Sequence, residues 1–144
     1  FDMDWHWQFA SNWSLSGLVN YVRGERRDID DNLYRIAPPN TSVRLSYSAA
    51  NWEASVESVL YASQDDVSDT NREKKSAGYG LINLAGNWQV LPSIQLAAGV
   101  ENVFDKNYED HLGGYNRVMN SDVEQGERLP GYGRNLFARV LYTF

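Results

Sequence analysis

Apolar and polar residues alternate along most of this chain with a period of two, the mark of strands whose faces meet different surroundings. Met3, Trp5, Trp7 and Phe9 share one face, and Asp2, Asp4, His6 and Gln8 the other. Next, Trp13, Leu15, Gly17, Val19 and Tyr21 oppose Ser14, Ser16 and Asn20. After Pro38-Pro39, Val43, Leu45 and Tyr47 oppose Ser42, Arg44 and Ser46, and Trp52, Ala54, Val56 and Leu60 oppose Glu53, Ser55 and Glu57. Ile82, Leu84, Gly86 and Trp88 then face away from Asn83 and Asn87, and Ile94, Leu96, Ala98 and Val100 from Gln95 and Glu101. The last run sets Leu136, Ala138, Val140, Tyr142 and Phe144 against Asn135, Arg139 and Thr143, with Phe137 and Leu141 diluting the contrast.

These segments predict about seven strands. Short connections fall near 10–13, 48–51 and 89–93, and long ones near 25–40, 63–77 and 105–131, in strict turn. Tight turns at one end and long loops at the other are the rhythm of an outer-membrane barrel, one face on lipid and one on the lumen. The predicted fold is therefore all-β, an antiparallel transmembrane β-barrel segment. Single-chain bacterial barrels have even strand numbers, so seven strands belong to a larger barrel.

Aromatic placement agrees. Trp13, Trp52 and Trp88 sit beside short turns, as an interfacial girdle requires. Tyr21 lies eight residues beyond Trp13, and at ~3.3 Å per residue on a tilted strand the pair spans roughly the ~25 Å apolar band of an outer membrane. Arg44, Glu53, Glu57, Glu101 and Arg139 fall on the inward face, where charge needs water or polar protein. They are expected to make lumen salt bridges or to contact an inserted domain.

The composition, 42% hydrophobic and 22% charged in 144 residues, resembles that of a soluble domain. No stretch approaches the ~20 apolar residues of a membrane helix, but strands need none, because only alternate residues touch lipid. The absence of Cys removes thiol chemistry, and a net charge of -6 argues against nucleic acid. Phe1 directly precedes an alternating run, so the start is expected to be a cut through a longer polypeptide.

The run Gly99-Val100-Glu101-Asn102-Val103-Phe104-Asp105-Lys106-Asn107-Tyr108 resembles a signature near the end of TonB-dependent outer-membrane receptors. Gly131-Tyr132-Gly133-Arg134-Asn135 through Phe144 is similar to that family's closing strand. In physical terms a strand leaves the membrane at Val100, and Asn102, Asp105 and Asn107 turn the backbone through side-chain hydrogen bonds; Phe104 and Tyr108 are expected to anchor the exit at the outer interface. The resemblance implies a barrel of about 22 strands with a plugged lumen, of which residues 1–144 form the C-terminal part, the plug lying outside this chain. It further implies location in the Gram-negative outer membrane, a periplasmic TonB partner, and active uptake of a scarce ligand such as a ferric siderophore, haem, cobalamin or copper. It implies too that the barrel-assembly machinery recognises the terminal aromatic strand, with Tyr142 and Phe144 as the signal. Tyr108-Glu109-Asp110-His111-Leu112 resembles copper-receptor members, although one His without a Met or Cys cluster is a poor metal site.

Asp28, Asp30 and Asn32 open like a calcium loop, but Leu33 stands where Gly is required and Pro39 where the bidentate acid belongs. With Asp65, Asp66 and Asp69 they read as solvated loop acids close to lipopolysaccharide. Gly78-Tyr79-Gly80 and Gly131-Tyr132-Gly133 mimic a potassium-filter tripeptide without its helices; both enter a strand, which suggests equivalent outer-girdle positions for Tyr79 and Tyr132. Tyr79 is, however, out of step with Ile82 through Trp88, which predicts a bulge at Gly78–Gly80 or an inward Tyr79. His6 and His111 lie on separate elements and no G-x-S-x-G elbow occurs, so no catalytic, cofactor or metal residues are assigned and no enzyme is expected.

Ligand contact is expected in the last long loop, from Tyr108, His111, Tyr115, Asn116, Arg117 and Arg128, since Arg and Tyr suit anionic, aromatic ligands. Packing between loops and contact with lipopolysaccharide are equally served by the same residues. Lipid meets Trp13, Tyr21, Trp52, Trp88 and Tyr132. A passive porin or small barrel, and a soluble carbohydrate-binding β-sandwich, remain as alternatives.

Overall fold

Strands form where the alternation is cleanest: β1 (Asp2–Ala10), β2 (Trp13–Asn20), β3 (Asn40–Ser48), β4 (Trp52–Tyr61), β5 (Tyr79–Leu91), β6 (Ile94–Glu101) and β7 (Asn135–Tyr142). The structure, a computed structural model describing residues 1–144, joins them in one sheet in the order β1-β2-β3-β4-β5-β6-β7. Every pairing is antiparallel and between sequence neighbours. Tight turns occupy 11–12, 49–51 and 92–93; long loops occupy 21–39, 62–78 and 102–134, the first and third opening a few residues before their expected starts.

Register keeps the two faces apart across the sheet. On one face Trp7, Leu15, Leu45, Val56, Leu84, Val100 and Leu136 lie opposite one another from strand to strand. On the other, the row one residue along is His6, Ser16, Arg44, Glu57, Asn83, then Glu101 and Asn135. That row is partly wired. Arg44 pairs with Glu57 at 2.9 Å, Asn83 donates to the other Glu57 oxygen at 3.1 Å, and Asn135 donates to Glu101 at 3.0 Å. The aromatic band at the short-turn end is continuous, with ring centroids 4.9 Å apart for Trp13–Tyr47 and 5.2 Å for Tyr47–Trp52, and Trp52 opposite Trp88.

Two glycines make room for aromatic rings across the ladder. Gly99 lies opposite Phe137, whose ring covers it on the polar face, and a Cβ there would sit 2.5 Å from Phe137 Cζ. Phe137 thus breaks the alternation of β7 because its neighbour has no side chain. Trp5 covers Gly17 in the same way on the apolar face.

The β4–β5 ladder runs unbroken from Trp52–Trp88 to Tyr61–Tyr79, without a bulge. Tyr79 therefore shares the face of Asn83 and points inward. It is not equivalent to Tyr132, which stands 89% exposed before β7. The bulges lie elsewhere, at Gln8/Ala10 and Gln89/Leu91, each beside a tight turn. In both, the glutamine donates to the displaced carbonyls, Gln8 to Ala10 O at 2.8 Å and Gln89 to Leu91 O at 2.6 Å.

Burial is inverted relative to a soluble sandwich. Val67 is the one buried hydrophobic residue, whereas Gln64, Ser68, Ser76, Asn102, His111, Asn116 and Arg128 are buried in or between the long loops. Asn102 ends β6 with a left-handed backbone (φ 50). Its Oδ1 accepts from Lys106 N at 2.8 Å, and its Nδ2 donates to Lys106 O at 2.9 Å and Tyr132 O at 3.2 Å. Asp105, also left-handed (φ 53), accepts from Arg134 N at 2.8 Å. These two side chains clamp the outgoing limb of the loop to the returning one. Phe104 is exposed as an outer anchor would be, but Tyr108 turns to the polar face.

Replacing Gly99 with Ala should destabilise the intact barrel by about 1–3 kcal/mol through overpacking, because Leu84 O lies 2.6 Å from the new Cβ and cannot rotate away. Urea unfolding in detergent measures it. Asn102→Gly keeps the left-handed backbone and loses the side-chain bonds, whereas Asn102→Ala loses both. The Ala variant should therefore unfold at lower urea than the Gly variant, and both below the parent.

Candidate functional site

The long loops gather over one end of the sheet through side chains that reach neighbouring backbone. Asp31, in the first loop, accepts from Ser68 Oγ at 2.9 Å, Asp69 N at 2.8 Å and Thr70 N at 3.1 Å in the second. Hydrogen bonds from Thr70, Asp69 and Ser68 hold its carboxyl well below the usual carboxylate range. Gln64 donates to Ile36 O at 3.0 Å, and Asn32 to Val67 O at 3.2 Å. The calcium-like spacing thus points past the working acid: Asp28 pairs with Arg26, and Asp31, outside the motif, makes the junction.

The second and third loops meet at His111. Its imidazole bridges Ser76 Oγ, 2.9 Å from Nδ1, and Glu73 Oε1, 3.2 Å from Nε2. Arg128 donates to the carbonyls of His111 and, at 2.8 Å, Lys74. Its Cζ lies 4.8 Å from the Tyr115 ring centre, a cation–π contact. Arg128 Nε has no hydrogen-bond partner; the Glu109 carboxylate stands 4.0 Å away.

The six loop residues expected to meet ligand therefore separate. His111, Asn116 and Arg128 are buried and occupied by loop contacts, Asn116 closing the 116–127 turn through Val118 O, Ser121 Oγ and Val123 O at 2.9, 2.8 and 2.6 Å. Tyr115 lies half-buried under Arg128, and Arg117 is exposed. Tyr108 joins a stack on the polar face, with centroids 4.8 Å apart for Tyr61–Tyr79 and 4.4 Å for Tyr79–Tyr108. Burial, foremost, pushes the Tyr108 hydroxyl above its ordinary value. Gly131 lets this ring in, since a Cβ there would clash with Tyr108 Cζ.

Beside the stack opens a cavity of about 590 Å³ whose walls include Tyr79, Lys106, Tyr108, Glu109, Glu127 and Arg128. Its size is that of small-molecule sites, and its mixed walls offer ring faces, carboxylates and cations. A larger groove, about 1000 Å³, crosses the apolar face between Trp13, Trp52 and Leu136. It has no convergent polar groups and lies where a barrel meets hydrocarbon, so the smaller cavity is the candidate site. Sequence reasoning missed Tyr61, Glu73, Ser76 and Tyr79. Only Tyr79 left a signal, its broken parity.

Of the girdle residues, Trp13, Trp52 and Trp88 are exposed on the apolar face at the short-turn end, and Tyr21 and Tyr132 are exposed at the loop end. The Tyr142 and Phe144 rings lie 6.2 Å apart in a tilted arrangement, on the same side as Trp88's turn.

Solved structures share this fold. The copper transporter OprC superposes with a TM-score of 0.92 at 27% identity, over 99% of this chain and 23% of its own. A variant of the ferric enterobactin receptor PfeA of Pseudomonas aeruginosa gives 0.73 at 18% identity over 99% and 22%. The ferric yersiniabactin uptake receptor FyuA of Yersinia pestis gives 0.72 at 16% over 99% and 23%. The chain thus spans about a quarter of the length of these proteins. Among curated proteins none matches the chain. The profile described as TonB dependent receptor-like, beta-barrel, matches residues 1–103. This chain therefore belongs to the TonB-dependent receptor β-barrel family, of whose barrel it forms seven strands.

Proposed function

We propose that residues 1–144 are the C-terminal part of a TonB-dependent outer-membrane transporter, supplying barrel wall and loop mouth for active uptake of a scarce ligand. The observation that carries this reading is the asymmetry of the sheet: an apolar, aromatic-banded face, a charged face, and three interlocked loops at one end only. The charged face suits a polar plug from the same polypeptide, with TonB engaged from the periplasm. Lipid and lipopolysaccharide cover the other face and the loop flanks.

Ligand enters at the 590 Å³ cavity, where Tyr108, backed by Tyr79, offers a ring face and Lys106 offers positive charge. Arg117 and Tyr115 contribute from the loop above. The likeness to OprC keeps copper among the ligand classes beside ferric siderophores, haem and cobalamin. No group of three His, Cys, Asp or Glu side chains is placed here to hold a metal, so this part of the wall favours recognition of a chelate or organic ligand.

The decisive experiment expresses the parent protein in cells with and without a working TonB system and follows accumulation of labelled candidates. Accumulation that requires TonB supports the reading; steady, energy-independent conductance in planar bilayers supports the porin alternative. Tyr108→Ala should weaken binding of the transported ligand roughly 2- to 10-fold, the scale of one lost stacking contact, measured by titration of the purified receptor. Deleting Phe144 should lower outer-membrane yield on quantitative blots while leaving ligand affinity unchanged in the molecules that do fold.

A further inference from the structure

Glu73 collects one group from each long loop. Its Oε1 accepts from Arg35 N at 2.9 Å, its Oε2 from Ser68 N at 3.0 Å, and Oε1 also faces His111 Nε2 at 3.2 Å. Arg35 adds a second tie from the first loop to the third by donating to Leu112 O. The His111 and Glu73 side chains are 1% and 3% exposed, so water does not share these contacts. We infer that His111 is a protonation-controlled latch, holding the three loops together at neutral pH and releasing them on acidification.

The neutral imidazole satisfies every partner. One N–H, on Nε2, goes to the Glu73 carboxylate, while Nδ1 accepts the Ser76 hydroxyl. A second proton disrupts this. Nδ1 then becomes a donor, and the Ser76 hydrogen must find another acceptor. The Ser76 backbone offers no relief, being paired in both directions with Gln64 at 3.0 and 3.2 Å.

Charges around the ring decide the balance. From the second loop Glu73 attracts the proton, while the Lys74 ammonium is turned to Glu127 at 2.6 Å. From the third, Asp110 attracts, Arg128 repels from the His111 carbonyl, and Glu109 stands behind Arg128. From the first, Arg35 N shares the Glu73 Oε1 that faces the ring, and the Arg35 guanidinium is held by the neighbouring Leu112 carbonyl. Burial first, then Arg128, outweigh Glu73, and the imidazole is held below its ordinary 6.5. Between that depressed value and 6.5 the opened loops take up a proton that the closed loops refuse. The contribution of the neutral imidazole to closure is therefore full above 6.5 and weakens as pH falls from there to the depressed value, by up to tenfold per pH unit for one linked proton.

Release of the latch is read as loop opening, independently of uptake. Hydrogen exchange of 62–78 and 102–134 would be followed by mass spectrometry in the detergent-solubilised full-length receptor from pH 7.5 to 5.0, corrected for intrinsic chemical rates. Opening should rise up to tenfold per unit below 6.5, stay flat in His111→Gln, and keep its slope in His6→Gln. A flat wild type, or an unchanged slope in His111→Gln, overturns the latch. Should His111→Gln fail to fold, histidine-selective NMR of the wild type decides: the His111 resonance must titrate in step with the exchange. Titration while the loops remain closed overturns the proposal.

Discussion

A backbone surrounded by hydrocarbon has no water to bond, so every N–H and C=O must find a partner along the sheet. That constraint governs this chain. Of its 73 backbone hydrogen bonds, 51 lie in the ladders, and no Pro falls within a strand. Because each strand pairs only with its neighbours in sequence, side chains are left free to answer two different solvents. The apolar row through Leu45 and Val56 and the polar row through Arg44 and Glu57 are one residue apart and never exchange.

The loops obey the same rule by other means. Without a ladder, their backbone groups are met by side chains, and a few polar residues serve many partners: Asp31, Glu73, Asn102, Asn116 and Arg128. This is why the buried residues are polar and lie above the sheet and not within it. A buried acceptor stripped of its donor costs about 1–3 kcal/mol, so each of these residues sets the position of a whole loop limb.

The strands were legible because their faces meet different media, and a period of two needs no knowledge of the rest of the chain. All seven appear where alternation predicts them. Parity even flagged Tyr79, and the ladder resolves the choice between bulge and inward ring in favour of the ring. The loop contacts were not legible, since Glu73 sits in the charged run Arg72-Glu73-Lys74-Lys75, which looks like any solvated surface. Its meeting with His111, 38 residues on, depends on how three loops fold over a common rim. Half of the expected ligand residues belong to that packing, and the cavity beside Tyr108 is walled by residues of the second and third loops, with Tyr79 the one strand residue among them.

The bulged turns after Gln8 and Gln89 share one construction, a lumen-side glutamine capping the carbonyls of a two-residue reversal, at hairpins separated by two intervening strands. Such a hairpin is a self-contained module: it carries its own register and its own girdle residue, and it returns the chain to the rim from which it left. Inserting or removing one preserves strand polarity everywhere else. A wall built this way changes circumference in whole hairpins, which lets pore diameter vary over evolutionary time while the local geometry at each junction stays the same.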